Sequence, residues 1–383
     1  MTAEDILATL VAFDTTSHRT NLPLIDWVEG YLESHGVASA RVPDETGEKA
    51  NLIATIGPEG VPGIVLSGHV DVVPVAGQDW ATDPFVATVV DDRIYGRGTT
   101  DMKGFCACIL AAVPRMVAAP LAMPVHIVLS HDEEIGCIGV RGALRQIAEW
   151  PVRPRACIVG EPTGMQVVIG HKSKRSVRVT VRGRTGHSSL APGFVNAVEY
   201  AARLTVFISD IGRDFAGSGA VDPLYDVGHS TAHVGMLRGG TQLNIVPDEA
   251  VFDFEFRTIG EDDADALVER VIAFARKTLE PAMQAVHADT GIDFETLSSV
   301  DGLDTAPEED VVAFAKSLAN RNDHAKVAFG TEGGLFRTMA GIPTVVVGPG
   351  DIGRAHKADE YIERAELAAG GAFVERLVDR CRT

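Results

Sequence analysis

Apolar and polar positions fall into two textures along this chain. Up to about residue 173, short apolar runs alternate with stretches of helical spacing. Helical periodicity covers 3–13 and 22–35, with Asn21 placed to cap the second helix and Gly36 to stop it. Strands are predicted near 51–56, at 64–69, from Val86 to Val90, at 125–130 and at 156–159. Asp91-Asp92 before Arg93-Ile94-Tyr95 reads as a hairpin turn, and a helix rich in small apolar residues spans about 104–118. Strands alternating with helices predict an α/β layered domain.

From residue 174 the texture changes. Ser176 to Arg182 alternates with period two, as a strand with one wet face does. A helix is predicted at about 194–209, a loop from Gly212 to Gly228, strands near 230–237, 250–257 and 291–299, and a helix near 262–279. Afterwards the first texture returns: a helix from Glu308 to Leu318, strands at 326–329 and 344–347, and a last helix at about 362–380. The predicted organisation is one α/β domain, 1–173 and 301–383, interrupted by a smaller α+β domain at 174–300.

Composition narrows the function. The 383 residues are 45% hydrophobic and 23% charged, as in a globular domain. A net charge of −19 offers no cationic field to nucleic acid or anionic membranes. No run approaches the roughly 18 apolar residues of a membrane span. Five cysteines, an odd number with no CxxC pair, fit a reducing cytoplasm better than a disulfide framework. The N-terminus lacks the basic region of a signal peptide.

The candidate chemistry gathers at strand ends. His69 ends the strand 64–69, and Asp71 stands two residues on. An imidazole that binds a metal through one nitrogen needs a partner for the other, and Asp71 is a candidate. Glu133, Glu134 and Glu161 follow two further strands, Asp101 lies in a glycine-rich loop before a helix, and His356 follows the last strand. Each alone reads first as a turn, a surface group or a solvated acid. Together, imidazoles and carboxylates without thiolates suit zinc, cobalt or manganese in an open site rather than a closed structural one. Two ions sharing a carboxylate are within reach of this set. In the adjacent pair Glu133-Glu134, one carboxylate can bind metal while the other stays free as a general base.

The stretches Ser67-Gly-His-Val-Asp-Val-Val-Pro74, Gly96-Arg-Gly-Thr-Thr-Asp-Met-Lys-Gly104, His131-Asp-Glu-Glu-Ile-Gly136, Gly160-Glu-Pro-Thr163 and Ala355-His-Lys357 resemble the M20 metallopeptidase and amidohydrolase family. The resemblance spans nearly the whole chain. It implies a zinc-exopeptidase-like catalytic domain, a mixed sheet with helices on both faces, interrupted by a lid and dimerisation domain. It implies two zinc ions, with cobalt or manganese as substitutes. Asp101 would bridge them; His69 and Glu161 would complete one, and Glu134 and His356 the other. Asp71 would orient His69, Glu133 would be the general base, and the Asp101–Met102 peptide would be cis.

In the lid, Gly170-His-Lys-Ser-Lys-Arg-Ser176, Val181 to Pro192 and Arg238 to Pro247 resemble the family's deacetylases, with N2-acetyl-L-ornithine as the implied substrate. His187 would donate to a developing oxyanion, or else cap a helix. Asn244 and Arg257 would contact substrate, although a strand-end arginine also reads as a surface ion pair. Gly330 and Thr331 open a helix whose N–H groups suit a carboxylate, or simply a capped helix start. The expected partners are a small N-acyl amino acid and a second copy of the chain through the lid. A desuccinylase of succinyl-diaminopimelate, another aminoacylase or a dipeptidase would use the same metal set. A metal-loaded binding protein would not need the free base Glu133.

Overall fold

The computed structural model describes residues 1–382. Among these, the chain divides into two compact units. The first comprises Met1–Gly170, Leu303–Lys326 and the chain from Thr331 on; the second comprises His171–Gly302 and Val327–Gly330.

A mixed nine-stranded sheet organises the first unit among the described residues. Its order is Ser39–Pro43, Ala50–Ile56, Val125–Ser130, Ile64–His69, Ala156–Val159, Thr344–Val346, Val168–His171 and Leu303–Asp304, with Ala325–Val327 paired to Val168–His171. Ile64–His69 lies between Val125–Ser130 and Ala156–Val159, parallel to both. His69 pairs with Ser130, and Ser67 with both Val128 and Val159. The carboxyl ends of these neighbouring strands therefore meet at one edge of the sheet, where open α/β sheets place their sites. Every residue of the three strands is buried, which explains why they read as continuous apolar runs.

The core around this sheet takes Phe105, Ile109 and Val113 from the helix Lys103–Ala118, and Phe373 and Leu377 from Arg364–Cys381. Packing is close where the site begins: a Cβ on Gly160 would lie 1.8 Å from the Phe105 ring. Only glycine allows the strand end before Glu161 to approach that helix.

The second unit is a four-stranded antiparallel sheet in the order Thr231–Gly239, Glu249–Arg257, Lys174–Arg182, Gly291–Val300. Val177, Val179 and Val181 alternate inward with Phe252, Phe254 and Phe256, against Leu204, Ile208, Ile211 and Phe215 of the helix Ala197–Ser218. Polar residues occupy the other face, where Arg178 pairs with Asp253 directly across the strands at 2.8 Å.

Most elements lie within a few residues of their sequence positions, and the exceptions have physical causes. The helix expected at 194–209 runs on to Ser218, so the loop expected from Gly212 begins later. Ile211 and Phe215 continue the apolar stripe, and Gly212 is a close-packing position rather than a stop: a Cβ there would be 3.3 Å from Ala232. Asn21 does not cap its helix with its side chain. Its amide instead bonds the N–H and carbonyl of Ala50, at 3.0 and 2.8 Å. The strand expected from Val86 is only Thr88–Val90, turning at Asp91 with φ +53° onto Arg93–Tyr95. The helix expected at 262–279 is Ala264–Phe274, followed by a π-helical stretch and Glu280–Gln284. The strands Ser39–Pro43, Val168–His171 and Tyr361–Glu363 and the helix Val140–Ala148 had no counterpart in the sequence reading. The five cysteines are buried and free. No helix among the described residues is long and apolar enough to cross a membrane.

Candidate metal centre

His69 arrives at the strand end with 1% of its side chain exposed. Its Nδ1 donates to the main-chain carbonyl of Asp71 at 2.9 Å, which leaves Nε2 as the nitrogen turned to the neighbouring carboxylates and able to meet a metal ion. The Asp71 carboxylate stands farther off, 3.6 Å from Nδ1. It accepts instead from the Glu133 N–H at 3.1 Å, the Glu134 N–H at 3.3 Å and the Ser17 hydroxyl at 2.7 Å. Asp71 thus ties the turn that carries the paired glutamates to the end of the central strand.

Asp101 faces both histidines. Its Oδ1 is 3.1 Å from His69 Nε2 and its Oδ2 is 3.2 Å from His356 Nε2. The Asp101–Met102 peptide is cis. Glu134 Oε2 lies 3.0 Å from His356 Nε2, and Glu161 Oε1 lies 3.8 Å from His69 Nε2. His69, Asp101 and Glu134 present donor atoms all within 4.8 Å of one another, as do His69, Glu133 and Glu161.

These groups are held in an environment that favours a cation. Burial pushes Glu133 and Glu161 well above the usual carboxylate range, against the opposing charge of His69. Burial and the Asp101 charge push Glu134 up to about 6. Burial opposes the ionised form of Asp101, but hydrogen bonds from His356 and His69 prevail and hold it below its ordinary value. Hydrogen bonds to Asp101 and Glu134 raise His356 to about 10. Burial would lower His69, yet the carboxylates around it hold it well above the ordinary imidazole range.

The donor set fits divalent ions. Separations of 3.0–3.8 Å suit donors each about 2.0–2.2 Å from a shared ion. Glu161 Oε1 is buried with no hydrogen-bond partner among the described residues. A buried oxygen of that kind costs free energy unless something else engages it.

The structure thus gathers His69, Asp71, Asp101, Glu133, Glu134, Glu161 and His356 at one sheet edge. Thr331 belongs to the same unit, where it is buried and its hydroxyl accepts from the Gly333 N–H at 3.0 Å. Gly330, His187, Asn244 and Arg257 belong to the second unit. There His187 is exposed and precedes a short 3-10 turn, its Nδ1 accepting from the Ser189 N–H at 3.2 Å. The Asn244 carbonyl accepts from the Ser188 N–H at 3.0 Å, and Arg257 donates to Glu255 at 2.9 Å.

Two buried acids near the site escaped sequence reading. Glu332 is 1% exposed and accepts from the Ser67 hydroxyl at 3.4 Å; burial lifts its pKa to about 7. It sits among the glycines of the stretch 330–334, where the sequence signal is a helix start rather than a buried acid. Glu360 accepts the N–H groups of Thr100 and Asp101 at 3.0 and 3.1 Å and pairs with Arg97 at 2.6 Å. Nothing local in Lys357-Ala-Asp-Glu360-Tyr361 distinguishes it from a surface acid.

The model of peptidase family M20/M25/M40 matches residues 65–380. An acetylornithine deacetylase of Myxococcus xanthus is 34% identical, over 97% of this chain and 95% of its own. Among solved structures, the M20 family metallo-carboxypeptidase Sso-CP2 from Sulfolobus solfataricus superposes with a TM-score of 0.77 at 19% identity, covering 99% of each chain. The YXEP protein of Bacillus subtilis, described as a dinuclear metal binding peptidase from the M20 family, superposes with a TM-score of 0.66 at 14% identity, covering 98% of this chain and 97% of its own. The chain belongs to peptidase family M20/M25/M40 and is a hydrolase of amide bonds.

Proposed function

We propose that the protein removes the acetyl group from N2-acetyl-L-ornithine, giving L-ornithine and acetate, with two divalent ions, zinc in the first instance. The observation that carries the two-ion reading is Asp101, which turns one carboxylate oxygen to each histidine. The substrate rests on likeness to acetylornithine deacetylases over nearly the whole chain. His69, Asp101 and Glu161 would hold one ion, and Asp101, Glu134 and His356 the other. When bound, the ions polarise the acyl carbonyl and make water more acidic.

The chain's own residues do the proton work. Glu133, in the same cluster, takes a proton from the attacking water as its oxygen bonds to the acyl carbon. The carbon–nitrogen bond then breaks, acetate leaves, and Glu133 returns the proton to the ornithine amine. Burial shifts Glu133 upward, the direction that favours a carboxyl able to hold the proton it must later return. Asp71 holds the Glu133 main chain in register with His69. With Nδ1 of His187 engaged by Ser189, Nε2 is the atom offered to an oxyanion, a role that rests on sequence likeness.

Amine release from N-acetylornithine, succinyl-diaminopimelate and a dipeptide, at equal concentration with zinc- or cobalt-loaded protein, tests the reading. Strong preference for N-acetylornithine supports it. Preference for another amide keeps the two-ion chemistry and overturns the substrate. No turnover with two ions bound would overturn the enzymatic role.

A further inference from the structure

Cys137 touches Glu133 twice. Its main-chain N–H donates to the Glu133 carbonyl at 2.8 Å, and its thiol donates to Glu133 Oε1 at 3.3 Å. The cysteine is buried, and its φ of +54° lies in the left-handed region, where glycine is at ease and a side chain is disfavoured. The turn thus carries a side chain that its backbone does not favour, and that side chain ends on Glu133. Burial and the neighbouring Glu133 carboxylate push the thiol well above its ordinary range, so sulfur keeps its proton and stays a donor.

Glu133 is therefore restrained at both ends. Asp71 holds its N–H, and Cys137 holds one of its carboxylate oxygens. We infer that Cys137 is a positioning residue for Glu133: the thiol locks Oε1 and the side-chain rotamer, so that proton exchange runs through Oε2. A base free to rotate spends less time in productive geometry, and small misplacements lower the rate of the chemical step. This role rests on the reading of Glu133 as general base.

The test compares parent, C137A, C137G, C137S and E133Q, each loaded with zinc to the same measured content, on N-acetylornithine. Loss of one hydrogen bond to a charged group predicts a fall in kcat of about tenfold for C137A and C137G. KM should stay within about twofold, because binding is not what the thiol serves. C137S, which keeps a donor, should recover a substantial part of the loss. C137G should melt no lower than C137A, since glycine relieves the left-handed backbone, so a stability defect cannot account for its lost rate. In metal-free protein, the S–H stretching band assigned by difference against C137S should shift when Glu133 is changed to Gln. If E133Q is inactive while C137A and C137G keep kcat within about twofold of parent, the inference is overturned. An unmoved S–H band in E133Q overturns it equally. Activity retained in E133Q overturns the general-base reading itself, a separate and recognisable result.

Discussion

Replacing Glu360 by Gln should unsettle the centre without touching a proposed ligand. Glu360 Oε2 and Arg97 Nη1 are 2.6 Å apart, with both side chains 1% exposed. Oε1 accepts the N–H groups of Thr100 and Asp101, so this one carboxylate fixes the loop that carries Asp101. Arg97 also donates to the side-chain Oε1 of Gln78 at 2.6 Å, and Gln78 Nε2 donates to the His356 main-chain carbonyl at 2.9 Å. Breaking a buried ion pair on one side leaves an uncompensated charge and costs about 3–5 kcal/mol. At about 2–3 °C per kcal/mol for a unit of this size, the metal-free E360Q variant should melt about 6–15 °C below the parent. Adding R97M removes the stranded cation and should restore much of the loss, because replacing both partners is far cheaper than removing one. The assay is thermal unfolding followed by circular dichroism in chelator, with zinc titrated calorimetrically into each folded variant. E360Q should bind zinc more weakly on the His356 side. A melting point within about 2 °C of parent, or a double variant as unstable as the two single losses added, would refute the reasoning.

Three further outcomes are expected. E133Q should retain both ions by metal analysis and lose about 10²–10⁴ in kcat, and loss of metal in that variant would remove the base assignment. Metal-free protein should lose stability as pH rises. Glu134 holds more protons folded than unfolded between its ordinary value of 4.5 and about 6, and His356 does so between 6.5 and about 10. Because metal ligands must be deprotonated, the melting-point gap between loaded and chelated protein should widen across those windows, and a gap that narrows would contradict the electrostatics given above. G160A forces a methyl into the Phe105 ring and should cost about 1–3 kcal/mol, with weaker zinc binding beside the displaced Glu161, measured by melting and competition with a chelator.

Much of the centre was legible because its residues announce themselves at strand ends. The strands 64–69, 125–130 and 156–159 are short apolar runs, and each is followed by a histidine or acids. Their adjacency was not legible. That Ile64–His69 lies between the other two follows from long-range pairing, which carries no local signature. Gly212 reads as a stop only when the apolar stripe through Ile211 and Phe215 is ignored. Asn21 has the residue type of a helix cap, but its amide serves a neighbouring strand instead. The three-residue strands Thr88–Val90 and Tyr361–Glu363 are too short to show a period. Glu332 and Glu360 stayed hidden because burial, the property that makes them important, is conferred by residues distant in sequence.

The parallel register of Ile64–His69 with its two neighbours also bears on when the centre comes into being. Its ligands ride on segments that meet only after long-range strand pairs have formed and, for His356, after the chain's last third has returned to the sheet. An unfolded chain keeps only local fragments of this cluster, such as the adjacent Glu133 and Glu134. Ions that bind here recognise a nearly finished fold, so they act on the native side of the folding barrier. They stabilise the assembled fold and slow its unfolding, while leaving the rate at which the chain finds its topology almost unchanged.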